Sequence, residues 1–446
     1  MLSAFVSAFR TPDLRKKILF TLLILALYRL GANTPSPGVS YEAVQTCLDM
    51  MPDDDAGVFG LLDLFSGGAL LQLSVFALGV MPYITASIIM NLLGVVIPRL
   101  EALRKEGQVG QAKITQYTRY LTLALALLQA SGFIALGRAG VLFGVECPDP
   151  IIPNLSNIDG GGAPYWMSVT TIVVVMVAGT ALIMWFGEQV TEKGIGNGMS
   201  VLIFASIAAM MPGQFWQLQE SEGWFMFGTI IAIGIMIMVA VVFIEQSQRR
   251  IPVQYAKKMV GRRMYGGTST YIPMKVNQAG IIPVIFGSSL LYIPTLAMQM
   301  QTDAQSGWGQ FVERYLVNQG SWVYISIFFL LIVFFTYFYV SITFRPDDIA
   351  DNMKKVGGFI PGVRPGNPTA SYLSRVLSRL TFPGAMYLGT IAILPNLAIV
   401  AFGNEQLFAQ FPFGGTAVLI MVGVGLESVK QIESQLMQRN YEGFLR

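Results

Sequence analysis

Long stretches without a single charged side chain alternate along this chain with short segments where Lys and Arg collect. Trp166 to Phe186, Trp224 to Ile244 and Gln319 to Phe344 contain no Asp, Glu, Lys or Arg. Each is long enough to cross about 30 Å of hydrocarbon at 1.5 Å per helical residue. Extending that reading predicts ten helical spans, at 18–34, 66–97, 118–137, 166–187, 195–212, 224–245, 276–298, 320–344, 376–397 and 413–434. Five spans per half make the second half enter from the opposite side, so any internal repeat is inverted. The second span of each half carries helix breakers, Ser66-Gly67-Gly68 and Pro82 in one, Gly280 and Pro283 in the other. Broken helices at matching positions mark the functional centre of many transport folds, although Gly and Pro are also common in ordinary membrane helices.

Finer patterning adds three elements. Val80, Ile84 and Ile88 recur every fourth residue and share one helical face. Such a stripe faces lipid or a neighbouring helix more often than a pore. Ahead of it, Gly57 to Leu71 is apolar, carries Asp63 and ends in the Gly-Gly break. That segment is too short to cross a bilayer and too apolar for an open loop, which predicts a re-entrant half-helix buried in protein. At the start, Leu2, Phe5, Val6 and Phe9 recur at helical spacing, as in a short helix lying in the interface or else a plain tail. The run after Arg15-Lys16-Lys17 ends in Tyr28-Arg29-Leu30 without a small-x-small cleavage pattern, so it reads as a retained first span.

Charge orients the spans. Lys and Arg gather in alternate connections: Arg10, Arg15, Lys16 and Lys17; Arg99, Arg104, Lys105, Lys113 and Arg119; Arg249, Arg250, Lys257, Lys258, Arg262 and Arg263; Arg345, Lys354, Lys355 and Arg364. The opposite connections hold Arg138 and Arg314 beside the acidic Asp53-Asp54-Asp55. Positive charge is retained on the cytoplasmic side, which predicts two cytoplasmic termini. The chain divides accordingly into a segment 1–17, a first half 18–212, an external hinge loop 213–223, a second half 224–436 and a tail 437–446. Composition agrees: 53% hydrophobic and 12% charged residues, against about a quarter charged in a soluble domain.

Candidate chemistry is sparse. No His is present, which removes the commonest general base, metal ligand and pH switch. No HExxH, GxSxG or phosphate-cradling glycine motif occurs, so no enzyme, metal or cofactor is expected. Glu188, Arg379, Glu427 and Lys430 fall near span ends, where snorkelling to water explains them. A secondary transporter of small solutes is the alternative class; it needs a charged or liganding cluster at mid-membrane, and the runs carry none. Two basic connections stand out, 246–275 and 345–370, the first with Tyr255 and Tyr265 among its paired cations. They suit an acidic partner: lipid headgroups, ribosomal RNA or a cytosolic protein, beyond ordinary charge retention. Cys47 and Cys147 both fall in predicted external connections, where a disulfide is permitted.

Four stretches resemble one family. They are Ser66-Gly67-Gly68-Ala69 with Phe76-Ala77-Leu78-Gly79-Val80-Met81-Pro82-Tyr83-Ile84; Gly187 to Gly198 (GEQVTEKGIGNG); Lys275 to Pro283 (KVNQAGIIP); and Ala350 to Lys355 (ADNMKK) leading to Ile360 to Gly366 (IPGVRPG). Together they resemble bacterial SecY, and the resemblance runs from about Asp13 to Tyr441. It implies an all-α membrane protein of ten transmembrane helices, two inverted five-helix halves forming an hourglass channel with a lateral gate between spans two and seven. It implies an aliphatic pore ring at Val80, Ile84, Met199, Ile203, Ile285 and Ile420, with Val80 and Met199 departing from the family's usual isoleucine. A plug would lie at 57–68, including Gly60, Leu61, Leu62, Asp63, Leu64, Phe65, Ser66, Gly67 and Gly68. Asn91, Gln129 and Asn277 would be polar positions of the gate. Lys257, Arg262, Arg263 and Arg364 would receive the SecA motor ATPase or the ribosome, while SecE clamps the two halves and SecG lies peripherally. The implied role is passage of signal-bearing polypeptides across the bacterial plasma membrane, and release of apolar segments into membrane lipid.

Overall fold

The computed structural model describes residues 9, 11–50, 66–138, 151, 165–255, 258–260, 263–265, 269–299, 312, 315–316, 320–402 and 414–444. The helices are α1 Pro12–Ala32, α2 Tyr41–Met50, α3 Met81–Val96, α4 Pro98–Lys105, α5 Gln108–Arg138 and α6 Tyr165–Lys193. They continue with α7 Gly198–Gln246, α8 Ile282–Gln299, α9 Trp322–Thr343, α10 Pro346–Val356, α11 Asn367–Phe402 and α12 Gly415–Phe444. Among the described residues, seven helical segments are apolar and long enough to cross a membrane, or eight if α3 and α4, bent by 99°, are taken as one. Two of the seven lie in α7, which is kinked at Gly223 (φ 75°), so most of the expected hinge loop 213–223 is helical. Helix α1 falls short by composition because Arg15, Lys16, Lys17 and Arg29 sit within it.

Span two departs from the sequence expectation. Helix starts only at Met81, and residues 67–80 form a chain of turns. Gly67, Gly68, Leu73 and Gly79 all have positive φ there, which an L-residue helix does not accommodate. This irregular backbone is almost wholly buried, the condition under which membrane proteins tolerate it. Span seven repeats the device. Gly280 has φ 63°, Gly79 has φ 53°, and each is followed three residues later by a proline, Pro283 and Pro82, at the start of α8 and α3. A positive φ ends the preceding backbone course, and proline suits the first helical turn because its missing N–H has no partner to lose.

Packing gathers into separate cores. One holds Cys47, Leu70, Leu73, Ala126, Phe133 and Ile172, under α2, the turns, α5 and α6. A second lies at the centre, shared by α1, α3, α6, α7 and α12. A third joins the second part of α7 to α8, α9, α11 and α12.

The connection 246–275 is not an open loop. Strand β1 Gln248–Tyr255 pairs antiparallel with β4 Ser269–Lys275, from Gln248↔Lys275 to Gln254↔Ser269. Between them, β2 Lys258–Val260 and β3 Arg263–Tyr265 form a two-stranded hairpin. A short β5, Gly358–Phe359 from the second basic connection, joins the far edge of β1 at Gln254↔Phe359 and Tyr255↔Gly358. Ile251 and Val253 point inward onto Met274, Val340, Ile360, Leu373 and Val376, a fourth core beneath both basic connections.

Several expectations fall outside the described residues. These are the half-helix from Gly57 to Phe65 (with Gly60, Leu61, Leu62, Asp63 and Leu64), the interfacial helix at Leu2, Phe5 and Val6, and Lys257 and Arg262. The predicted tail 437–446 is helical as far as Phe444.

Candidate functional site

The second core sits where elements from before and after the break in α7 meet, and it combines apolar side chains with the aromatic rings of Tyr28, Phe76 and Phe186. Val80, Met199, Ile203 and Ile420 are buried within it, and Ile84 packs against it. These five of the six positions expected to form the ring come from α3 with its preceding turn, from α7 and from α12. Ile285 on α8 is also buried, 4% exposed, but is not a member of this cluster; Ile281, one turn earlier, packs there instead. None of the six expected ring positions bears a charge or a strong hydrogen-bonding side chain.

The turn that ends the expected half-helix is tied to two other elements. The Tyr28 hydroxyl on α1 lies 2.7 Å from Ser206 Oγ on α7 and 3.2 Å from the Ser66 carbonyl. Arg29 donates from Nη1 to the Gly67 carbonyl at 2.6 Å, and the Leu70 amide donates to Ser66 Oγ at 3.0 Å. Gly67 has φ 73°, and a Cβ on it would meet Ser206 Cα at 3.1 Å. Arg29 is thus a cation at the less basic end of its span because it satisfies a buried carbonyl. Cys47, on the preceding helix α2, is disulfide-bonded; the chain's one other cysteine is Cys147.

The three polar positions expected at the gate take separate partners. Asn91 Oδ1 accepts from Arg104 Nη2 at 2.7 Å. Asn277, 3% exposed, donates from Nδ2 to Glu245 Oε1 at 2.5 Å and to the Gly280 carbonyl at 3.2 Å. Gln129 is half-buried on α5. None of the described hydrogen bonds joins the three to one another. Asn277 instead ties the end of α7 to the break before α8.

On the basic face, Arg364 is exposed in the turn between β5 and α11, whose geometry is held by Thr369 Oγ1 donating to the Arg364 carbonyl at 2.8 Å. Arg263 lies in β3, paired with Val260. The β4–β1–β5 sheet places the two basic connections on one platform.

Comparison with known proteins follows the same outline. The family model described as SecY matches residues 74–429. The chain belongs to the SecY family. Over 452 residues it is 59% identical to the protein translocase subunit SecY of Streptomyces scabiei, each chain covered in full. It is 60% identical over 452 residues to the SecY subunit of Mycobacterium bovis, again with full coverage of both. Its fold is similar to that of a solved protein-conducting channel, at a TM-score of 0.62 and 19% identity over 94% of this chain and 92% of the other. A structure solved to study the SecY plug domain matches at the same TM-score, with 20% identity and the same coverage.

One feature of this SecY-family chain has no sequence signal. Arg119 on α5 donates from Nε and Nη2 to the two carboxylate oxygens of Glu188 on α6, both at 2.8 Å. Glu188 therefore does not merely snorkel; it holds a fork-to-fork pair across two helices. The partners lie 69 positions apart, beyond the reach of any local pattern.

Proposed function

We propose that this chain is the central channel subunit of a general secretory translocon, passing unfolded signal-bearing polypeptides and releasing apolar segments sideways into lipid. The aliphatic core formed by Val80, Ile84, Met199, Ile203 and Ile420 between the two halves carries this reading. A narrow ring without fixed charge disfavours water and ions by dewetting, yet deforms around a passing chain. The protein makes and breaks no covalent bond, so the driving energy comes from a partner.

The rest of the reading follows from the family. Counting α1, α3 and α8 as spans gives ten, divided into inverted halves at 18–212 and 224–436, with both termini on the cytoplasmic side of the bacterial plasma membrane. The matching glycine–proline breaks before α3 and α8 support a gate between those helices. Ser66, Gly67 and Gly68 form the hinge of a plug at 57–68. SecE clamps the two halves and SecG lies peripherally. The basic platform, with Lys257, Arg262, Arg263 and Arg364, receives SecA or the ribosome. An exposed guanidinium offers planar bidentate recognition of carboxylate or phosphate that Lys does not reproduce.

Reconstitution into liposomes with SecE and SecA tests the proposal. Wild-type channel imports a signal-bearing precursor into protease-protected form when ATP is supplied. Arg364→Glu inserts normally but loses most of that import. Absence of import by the wild-type chain overturns the channel reading, and full import by Arg364→Glu removes Arg364 from the docking site.

A further inference from the structure

A cavity of about 400 Å3 opens between the ends of α3, α4 and α9 and the starts of α8 and α10. Its lining combines two chemistries. Phe286, Phe338 and Ile342 supply apolar lining, while Arg104 and Arg345 add two guanidiniums. Asp348 contributes one carboxylate, 3.9 Å from Arg345 Nη1, which is a loose pairing. Among the described residues, the hydrogen-bond partner of Arg104 is a neutral acceptor, Asn91 Oδ1. Glu101, on the same short helix as Arg104, is ion-paired with Lys105 at 2.9 Å and also lies within electrostatic reach of Arg345. The cavity therefore carries a net positive charge and a side-chain amide that an anion can displace from Arg104.

Its position narrows the occupant. The apolar lining belongs to span ends, and helix α9 stops at Thr343, immediately before Arg345. That is the depth at which hydrocarbon gives way to headgroups. An acidic loop from a soluble partner satisfies the guanidiniums but leaves the apolar lining without a ligand. A phospholipid satisfies both at once, because guanidinium grips phosphate bidentately and an acyl chain covers the apolar lining. Basic pockets between transmembrane helices are suited to anionic headgroups.

We propose that this cavity binds an anionic phospholipid, its phosphate between Arg104 and Arg345, and that occupancy competes with the Asn91–Arg104 hydrogen bond at the end of α3. The lipid is thereby set beside the gap between α3 and α8, where its presence or absence changes what holds Asn91.

The full chain, purified and placed in nanodiscs of phosphatidylcholine with a small fraction of photoactivatable phosphatidylglycerol, provides the test. Crosslinks are expected on peptides spanning 91–104 and 338–348, at several times the yield obtained with photoactivatable phosphatidylcholine. The double variant Arg104→Gln, Arg345→Gln lowers that yield at least fivefold. Ile342→Trp, which adds bulk to the apolar lining and leaves both arginines, lowers it as well, and Lys16→Gln leaves it unchanged. Millimolar inorganic phosphate does not compete, since it lacks the chain that covers that lining. Equal labelling by the two lipids, undiminished labelling in both cavity variants, or displacement by free phosphate or an acidic peptide overturns the assignment.

Discussion

Gly67 sits at φ 73° with Ser206 Cα 3.1 Å from where a Cβ would be, at the point where Arg29 grips its carbonyl. A left-handed conformation costs an L-residue about 1–2 kcal/mol, and the neighbour here is backbone, which yields little. Gly67→Val is therefore expected to lower the thermal unfolding midpoint of the detergent-solubilised chain. Gly132→Ala on α5, where a Cβ meets nothing within 4 Å, is expected to leave it unchanged or raise it. Equal midpoints for wild type and Gly67→Val contradict the strained-turn account. Cys47 permits a second measurement at this scale. Its disulfide anchors α2, which packs through Val44 and Cys47 onto Leu70 and Leu73 of the turns. Disulfides typically stabilise by about 2–4 kcal/mol. Cys47→Ser is expected to unfold at a lower temperature than wild type under oxidising conditions and at the same temperature once a reductant is present. Two free thiols by mass spectrometry under non-reducing conditions contradict the bridge.

At the scale of elements, the sheet that joins the two basic connections organises the proposed docking face. Ile251, 2% exposed, packs from β1 onto residues of both connections. Removing its side chain costs about 2–5 kcal/mol in a well-packed core. Ile251→Ala is expected to speed amide hydrogen exchange at Gly358 and Phe359, although neither residue neighbours it in sequence. Unchanged exchange there means the two connections are independent. This sheet also shows where sequence reading stops. The apolar runs were legible because a helix records its environment every three or four residues, and the Ser66-Gly67-Gly68 and Gly280–Pro283 breaks were legible because backbone chirality restricts what fills them. Pairing of Gln254 with Phe359 is specified by register and burial across a hundred residues, and the alternation Ile251–Val253 is too short to announce it. Arg119–Glu188 and Asn277–Glu245 were hidden for the same reason: a side chain's partner is a property of the packed fold. The length of α3 was misjudged because apolar turns and apolar helix look alike until the φ values of Leu73 and Gly79 are known.

For the whole molecule, α1, α3, α6, α7 and α12 meet at one core, and the proposal that this core is the seal of a polypeptide channel rests on the apolar ring positions within it and their lack of any fixed charge. Ile84, Ile203 and Ile420 reach it from three separate helices, so serine at all three introduces hydroxyls and removes volume together. The plug proposed at 57–68 can mask a leak, and the variant is best compared with wild type in a background lacking that segment. Planar-bilayer conductance, without cargo, is the most direct measurement. The triple serine variant is expected to pass ions at a sustained level well above that of the plug-deleted parent. A triple variant as tight as its parent contradicts the seal, and with it the placing of the channel at this core.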